Sequence, residues 1–122
     1  MTEPVEFKTD RLQLNYQDNV WQIQPLTRLD LTFSDEFMRD VNHYMAENPS
    51  DAVCNMSKVP YMSSSGIKAL LNIQHFLKLR RFQFVLFGLT PEVKKIIELS
   101  ELSHVFTIAA DEQEALSLIT SN

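Results

Sequence analysis

Glycine is nearly absent from this chain of 122 residues, which has only Gly66 and Gly88. Neither lies in a glycine-rich run, so the phosphate-cradling loops of the common nucleotide-binding folds are excluded. Cysteine is scarcer still, with Cys54 alone. No intrachain disulfide can form, and the apolar neighbours Ala52, Val53 and Met56 make Cys54 read as a small buried hydrophobe. Its neighbourhood carries no histidine to act as a base, and His43, His75 and His104 have no spacing that fits a zinc site. Positive charge is in deficit: 11 Lys and Arg against 16 Asp and Glu leave a net charge of −5. That balance argues against a nucleic-acid footprint and favours a partner with a basic patch. No apolar stretch approaches the length of a membrane span. Residues 1–9 form a polar segment without the apolar core of a secretory signal. A cytoplasmic protein is expected.

Hydrophobic residues make up 44% of the chain, enough for one core without staples. The length fits one domain spanning residues 1–122. Strand-like and helix-like segments alternate, which predicts an α/β sheet protein. Leu12 and Leu14 alternate with polar residues over 11–16, and Trp21, Ile23 and Pro25 do so over 20–25. With Asp18 and Asn19 between them these read as a hairpin. Ser34, Asp35 and Glu36 open a helix, with the serine as its cap, and Phe37, Met38, Val41, Tyr44 and Met45 recur at helical spacing. A buried strand around Val53 follows. A long helix then runs from the serines at 63–65 to about Leu79, with Lys68, Asn72 and His75 on its polar face. Phe82 to Phe87 reads as a strand covered on both faces. Thr90, Pro91 and Glu92 are a strong helix start. Val105 to Ala109 reads as a fifth strand, and Asp111 with Glu114 resembles a capping box for a fourth helix.

The chemistry concentrates at Ser63, Ser64 and Ser65. Serines before a helix usually cap it. The same place, with its unpaired amides and partial positive charge, suits a phosphate. A phosphoserine there adds about −1.5 to −2 charge without requiring a change of fold. No Gly-x-Ser-x-Gly elbow is present, and no cluster of catalytic residue types appears, so an enzyme is not expected.

The run from Ala52 to Ile67, an apolar strand, a short loop and then Ser63-Ser64-Ser65-Gly66-Ile67, resembles the central signature of STAS domains in bacterial anti-sigma factor antagonists. Phe84 to Lys95, with its Pro91-Glu92-Val93, resembles the family's next strand and helix. Leu99 to Leu102 and Leu29-Asp30 are similar to further family segments. The resemblance implies a mixed sheet of about five strands, with about four helices packed mainly on one face. It implies an anti-sigma factor antagonist, a binding switch and not an enzyme, with no cofactor and no metal. Its partners would be an anti-sigma factor serine kinase, which phosphorylates the antagonist, and a serine phosphatase, which reverses this. Carried over by position, the acceptor is Ser64, with Ser63 and Ser65 as alternatives. The partner surface would include Asp30, Ser63, Ser64, Ser65, Gly66 and Lys68. Two positions depart from the family pattern: Ser63 replaces the signature Asp, and Arg28 precedes Leu29 where a glycine usually stands nearby. The missing carboxylate leaves a second reading open, a constitutive STAS scaffold in a stress-signalling or lipid-transport assembly. With its apolar positions used up by one core and no sustained heptad, the free protein is expected to be a monomer.

Overall fold

Alternating inward residues build the first half of the sheet. The computed structural model describes residues 4–120. Strand β2, Leu12–Gln17, pairs antiparallel with β3, Val20–Pro25, so that Leu14 lies opposite Ile23 and Tyr16 opposite Trp21. Asp18 and Asn19, both at positive φ (56° and 63°), make the two-residue turn between them. That backbone matches the twist of a hairpin, and Asp and Asn tolerate it. The polar start of the chain holds one more strand than the sequence suggests. Val5–Lys8 forms β1, antiparallel to β2, and turns Val5 and Phe7 toward the core. Met1 to Glu3 lie outside the described residues.

From β3 onward every pairing is parallel, and helices supply the crossovers that parallel strands require. The order is α1 (Ser34–Glu47), β4 (Asp51–Asn55), α2 (Ser64–Leu79), β5 (Phe84–Phe87), α3 (Pro91–Leu99), β6 (Thr107–Ala109) and α4 (Glu112–Thr120). The sheet has six strands, ordered β1-β2-β3-β4-β5-β6 as in the chain. The last two strands begin two residues later than their sequence suggests, at Phe84 and Thr107, because Phe82 and Val105 are taken up by turns.

One sheet face carries Leu12, Leu14, Trp21, Ile23, Ala52, Cys54, Phe84 and Leu86. Helix α1 covers it with Phe37, Val41 and Met45, α2 with Leu70, Ile73 and Leu77, and α3 with Val93 and Ile97. The opposite face has a smaller core of Val53, Val85, Phe87 and Ala109 under Ala115 and Ile119 of α4. Three helices against one is the asymmetry that the family resemblance implies. β4 and β5 are covered on both faces, which is why they read as nearly unbroken apolar runs. Cys54 is fully buried, and burial pushes its thiol pKa well above the ordinary value.

Candidate functional site at the start of helix α2

The start of α2 is fixed by backbone before any side chain acts. Leu29 and Met62 form an isolated parallel bridge. The Leu29 N–H donates to the Tyr61 carbonyl at 3.1 Å, and the Ser63 N–H donates to the Leu29 carbonyl at 3.0 Å. Gly66 makes this closeness possible: a Cβ there would sit 2.5 Å from the Leu29 oxygen and 2.5 Å from Met62 Cγ. Only glycine lets the β3–α1 loop lie against the first turn of α2. Thr90 ties down the other side, donating from Oγ1 to the Val59 carbonyl at 2.9 Å while capping α3.

The three serines then take different places. Ser63 is the N-cap, with extended backbone, and its Oγ accepts from the Ser65 N–H at 3.2 Å. Ser65 is half-buried. Ser64, the first residue of the helix, is exposed. Lys68 is exposed one turn further on, at the i+4 spacing that brings side chains together on a helix surface. Gly66, expected on the partner surface, is instead buried beneath Leu29.

Asp30 has a local job that the sequence assigns to Ser34. One carboxylate oxygen accepts from Thr32 Oγ1 at 2.6 Å and from the Thr32 N–H at 3.0 Å, and the other accepts from Arg28 Nε at 2.7 Å. The Thr32 hydroxyl first, then Arg28, holds the Asp30 carboxyl below its ordinary pKa. The Asp30 carbonyl accepts from the Phe33 and Ser34 amides and so starts α1. Phe33 is the cap residue and makes no side-chain cap bond. Ser34 is not the cap. It is the first helical residue, and its Oγ is buried with no hydrogen-bond partner among the described residues.

Sequence reasoning missed the apolar part of this surface. Leu31 is 80% exposed and Tyr61 45% exposed, one on each of the two segments that meet at the Leu29–Met62 bridge. A groove of about 380 Å³ runs between α1 and α2, lined by Leu31, Met38, Ser65, Lys68 and Ala69 among others. The available signal was that Leu31 belongs to neither the β3 alternation nor the α1 periodicity, so nothing in its own segment buries it. Among the described residues no group of three or more His, Cys, Asp and Glu is placed to hold a metal. No described helix is long and apolar enough to cross a membrane.

The sequence profile of the STAS domain matches residues 11–115. The chain belongs to the STAS domain family. Solved structures superpose on it over nearly the whole chain. A candidate anti-sigma factor antagonist from Thermotoga maritima aligns with a TM-score of 0.84 at 17% identity, covering 89% of this chain and 94% of that one. The anti-sigma factor antagonist SpoIIAA in its unphosphorylated form gives 0.76 at 19% identity, covering 91% and 97%. A chain of the stressosome, a signal integration and transduction hub, gives 0.70 at 18% identity, covering 88% and 96%. At these identities the likeness is one of fold. Within that STAS fold, the serines occupy the end of the β4–α2 loop and the first turn of α2.

Proposed function

We propose that this STAS domain is an anti-sigma factor antagonist of the cytoplasm, a non-catalytic protein-binding switch thrown by phosphorylation of Ser64. The whole chain acts as one domain and is monomeric when free. The carrying observation is that Ser64 alone of the three serines is exposed, while Ser63 is spent as the cap and Ser65 is half-buried beside the α1–α2 groove. The unmodified hydroxyl is small and neutral and fits a close interface with the kinase, flanked by Leu31 and Tyr61. A phosphate brings about −1.5 to −2 charge that must be desolvated when the partner docks. In the free protein the same charge is welcome, because it sits at a helix N-terminus with Lys68 one turn away. Phosphorylation therefore weakens binding without weakening the fold, and a serine phosphatase restores the binding form.

Ser63 in place of the signature Asp favours the second reading, a scaffold that is never phosphorylated. Mass spectrometry of the chain purified from its own cells, with the affinities of the Ser64→Ala and Ser64→Asp variants for an anti-sigma factor serine kinase, separates the two. The switch requires phosphate on Ser64, retained binding for Ser64→Ala and weakened binding for Ser64→Asp. Equal affinity for both variants and no phosphate at Ser64 establish the scaffold instead.

A further inference from the structure

Three of the chain's cations fall within four residues at the far end of α2, Lys78, Arg80 and Arg81. The helix has 16 residues, so this end lies about 24 Å from Ser64. None of the three pairs with a carboxylate; the ion pairs among the described residues are Arg11–Glu36, Arg28–Asp30 and His43–Glu47. Arg80 is held in place nonetheless. Its guanidinium stacks 3.7 Å from the Phe76 ring centre, and one Nη donates to the Phe76 carbonyl at 2.9 Å, leaving its other donors for a ligand. Between the cations Leu79 is 68% exposed. Beside them is a hollow of about 230 Å³ of mixed lining: Phe82, Phe84 and Val105 are apolar, and Gln74, Lys78, Gln83 and Thr107 are polar.

The backbone here is not the one an arginine prefers. The Arg81 N–H donates to the Lys78 carbonyl and the Phe82 N–H to the Leu77 carbonyl, a Schellman ending. Arg81 occupies its left-handed position at φ 65°, where glycine is the usual residue. α3 ends the same way with Glu101 at φ 61°, so a charged residue in this position is tolerated by the fold. At the end of α2, however, it completes a cluster of three cations, of which Lys78 lines the hollow.

We infer that this end of α2 is a second docking site, which takes an acidic peptide segment of a partner protein carrying one bulky apolar side chain. The carboxylates meet Lys78, Arg80 and Arg81, and the apolar side chain enters the hollow against Phe82 and Val105. Uncompensated positive charge on a chain of net charge −5 selects an anionic ligand. Phe82, Phe84 and Val105 sit in a hollow shared with polar side chains, and the apolar stripe of α2 is spent on the core apart from Leu79, so this end offers no amphipathic face to lie in a lipid surface. The separation from Ser64 lets both sites be occupied at once.

The test uses fluorescence anisotropy with a short fluorescein-labelled peptide of aspartate and glutamate bearing one central phenylalanine. The parent chain binds it, and a matched lysine peptide does not bind. Arg80→Glu with Arg81→Glu weakens binding about tenfold or more. The charge-matched control Lys94→Glu with Lys95→Glu on α3 weakens it by less than about twofold. Replacing the phenylalanine by serine also weakens binding, through loss of the hollow. Arg81→Gly keeps or raises the melting temperature while weakening the peptide, which distinguishes a contact from a loss of fold. Equal losses for the two double variants, or indifference to the phenylalanine, overturn the site as mere diffuse electrostatics. Binding to phosphatidylserine vesicles without binding to the peptide overturns it in favour of a membrane surface. The Ser64 reading survives either failure.

Discussion

At the N-terminal end of α2 the backbone is pressed against its neighbour, with room for no atom beyond Gly66 Cα on the side of Leu29. At the C-terminal end Leu79 stands 68% exposed among unpaired cations. One helix thus carries a tight, nearly neutral end and a loose, charged one. The tight end depends on shape and should respond to single atoms. The loose end depends on charge and should respond to salt and charge reversal while the fold ignores it.

The largest expected effect is at Gly66. Gly66→Ala forces Leu29 and Met62 apart and costs about 3 kcal/mol in chemical denaturation, at the top of the usual range for overpacking. Leu79→Ser at the other end should change stability by less than about 0.5 kcal/mol. If the two cost the same, the contrast between the ends is wrong. Next comes Ser63→Ala, which removes the cap bond to the Ser65 amide and should cost about 1 kcal/mol. Smaller still, Ser64→Asp should stabilise by about 0.3–1 kcal/mol, since it adds charge at the helix N-terminus without taking a cap away. A thermal melt in low salt reads this, and added salt should shrink it.

The smallest effect is in pH. The Asp30 carboxyl lies below its ordinary value of 3.8 in the fold, so folding favours its ionised form. That contribution is present above pH 3.8 and is lost as pH falls through the lowered value. Asp30→Asn should flatten this acid limb of the melting curve, and an unchanged limb would show that Thr32 and Arg28 do not hold the carboxylate in solution.

Much of this was legible in the sequence for identifiable reasons. The β2–β3 hairpin was written in the alternation about Leu14 and Ile23 and in the Asp18–Asn19 turn. The caps Thr90 and Asp111 act as their chemistry suggests: Thr90 Oγ1 accepts from the Val93 N–H, and an Asp111 carboxylate oxygen accepts from the Glu114 N–H. β1 was hidden because its alternation, Val5 and Phe7 against Glu6 and Lys8, is only four residues long. It exists only because the edge of β2 gives it a partner and Tyr44 gives Phe7 a ring to pack on, at 4.8 Å. Ser34 misled because a hydroxyl before two carboxylates has the local pattern of a cap. The turn is set instead by Asp30, four residues earlier, whose carbonyl accepts from the Phe33 and Ser34 amides and draws Ser34 into the helix as its first residue. At the candidate site, the position of the serines before a helix was readable, but which of them is exposed was not. That depends on Leu29, 34 residues away from Ser63 in sequence, lying across the turn.

The order of strands in the sheet is the order of the chain, and this bears on how the protein is made. A strand leaving the ribosome meets its neighbour already in place, and none must later be threaded between two others. Each closure spans one crossover only, which keeps the entropy of closing loops small. The backbone that holds Ser64, Leu29 to Ser34 and Tyr61 to Gly66, is all synthesised before β5. The Leu29 side of the serine turn can therefore assemble while the C-terminal third is still being translated, Thr90 ties down the other side once β5 is made, and α4 seals the second face last.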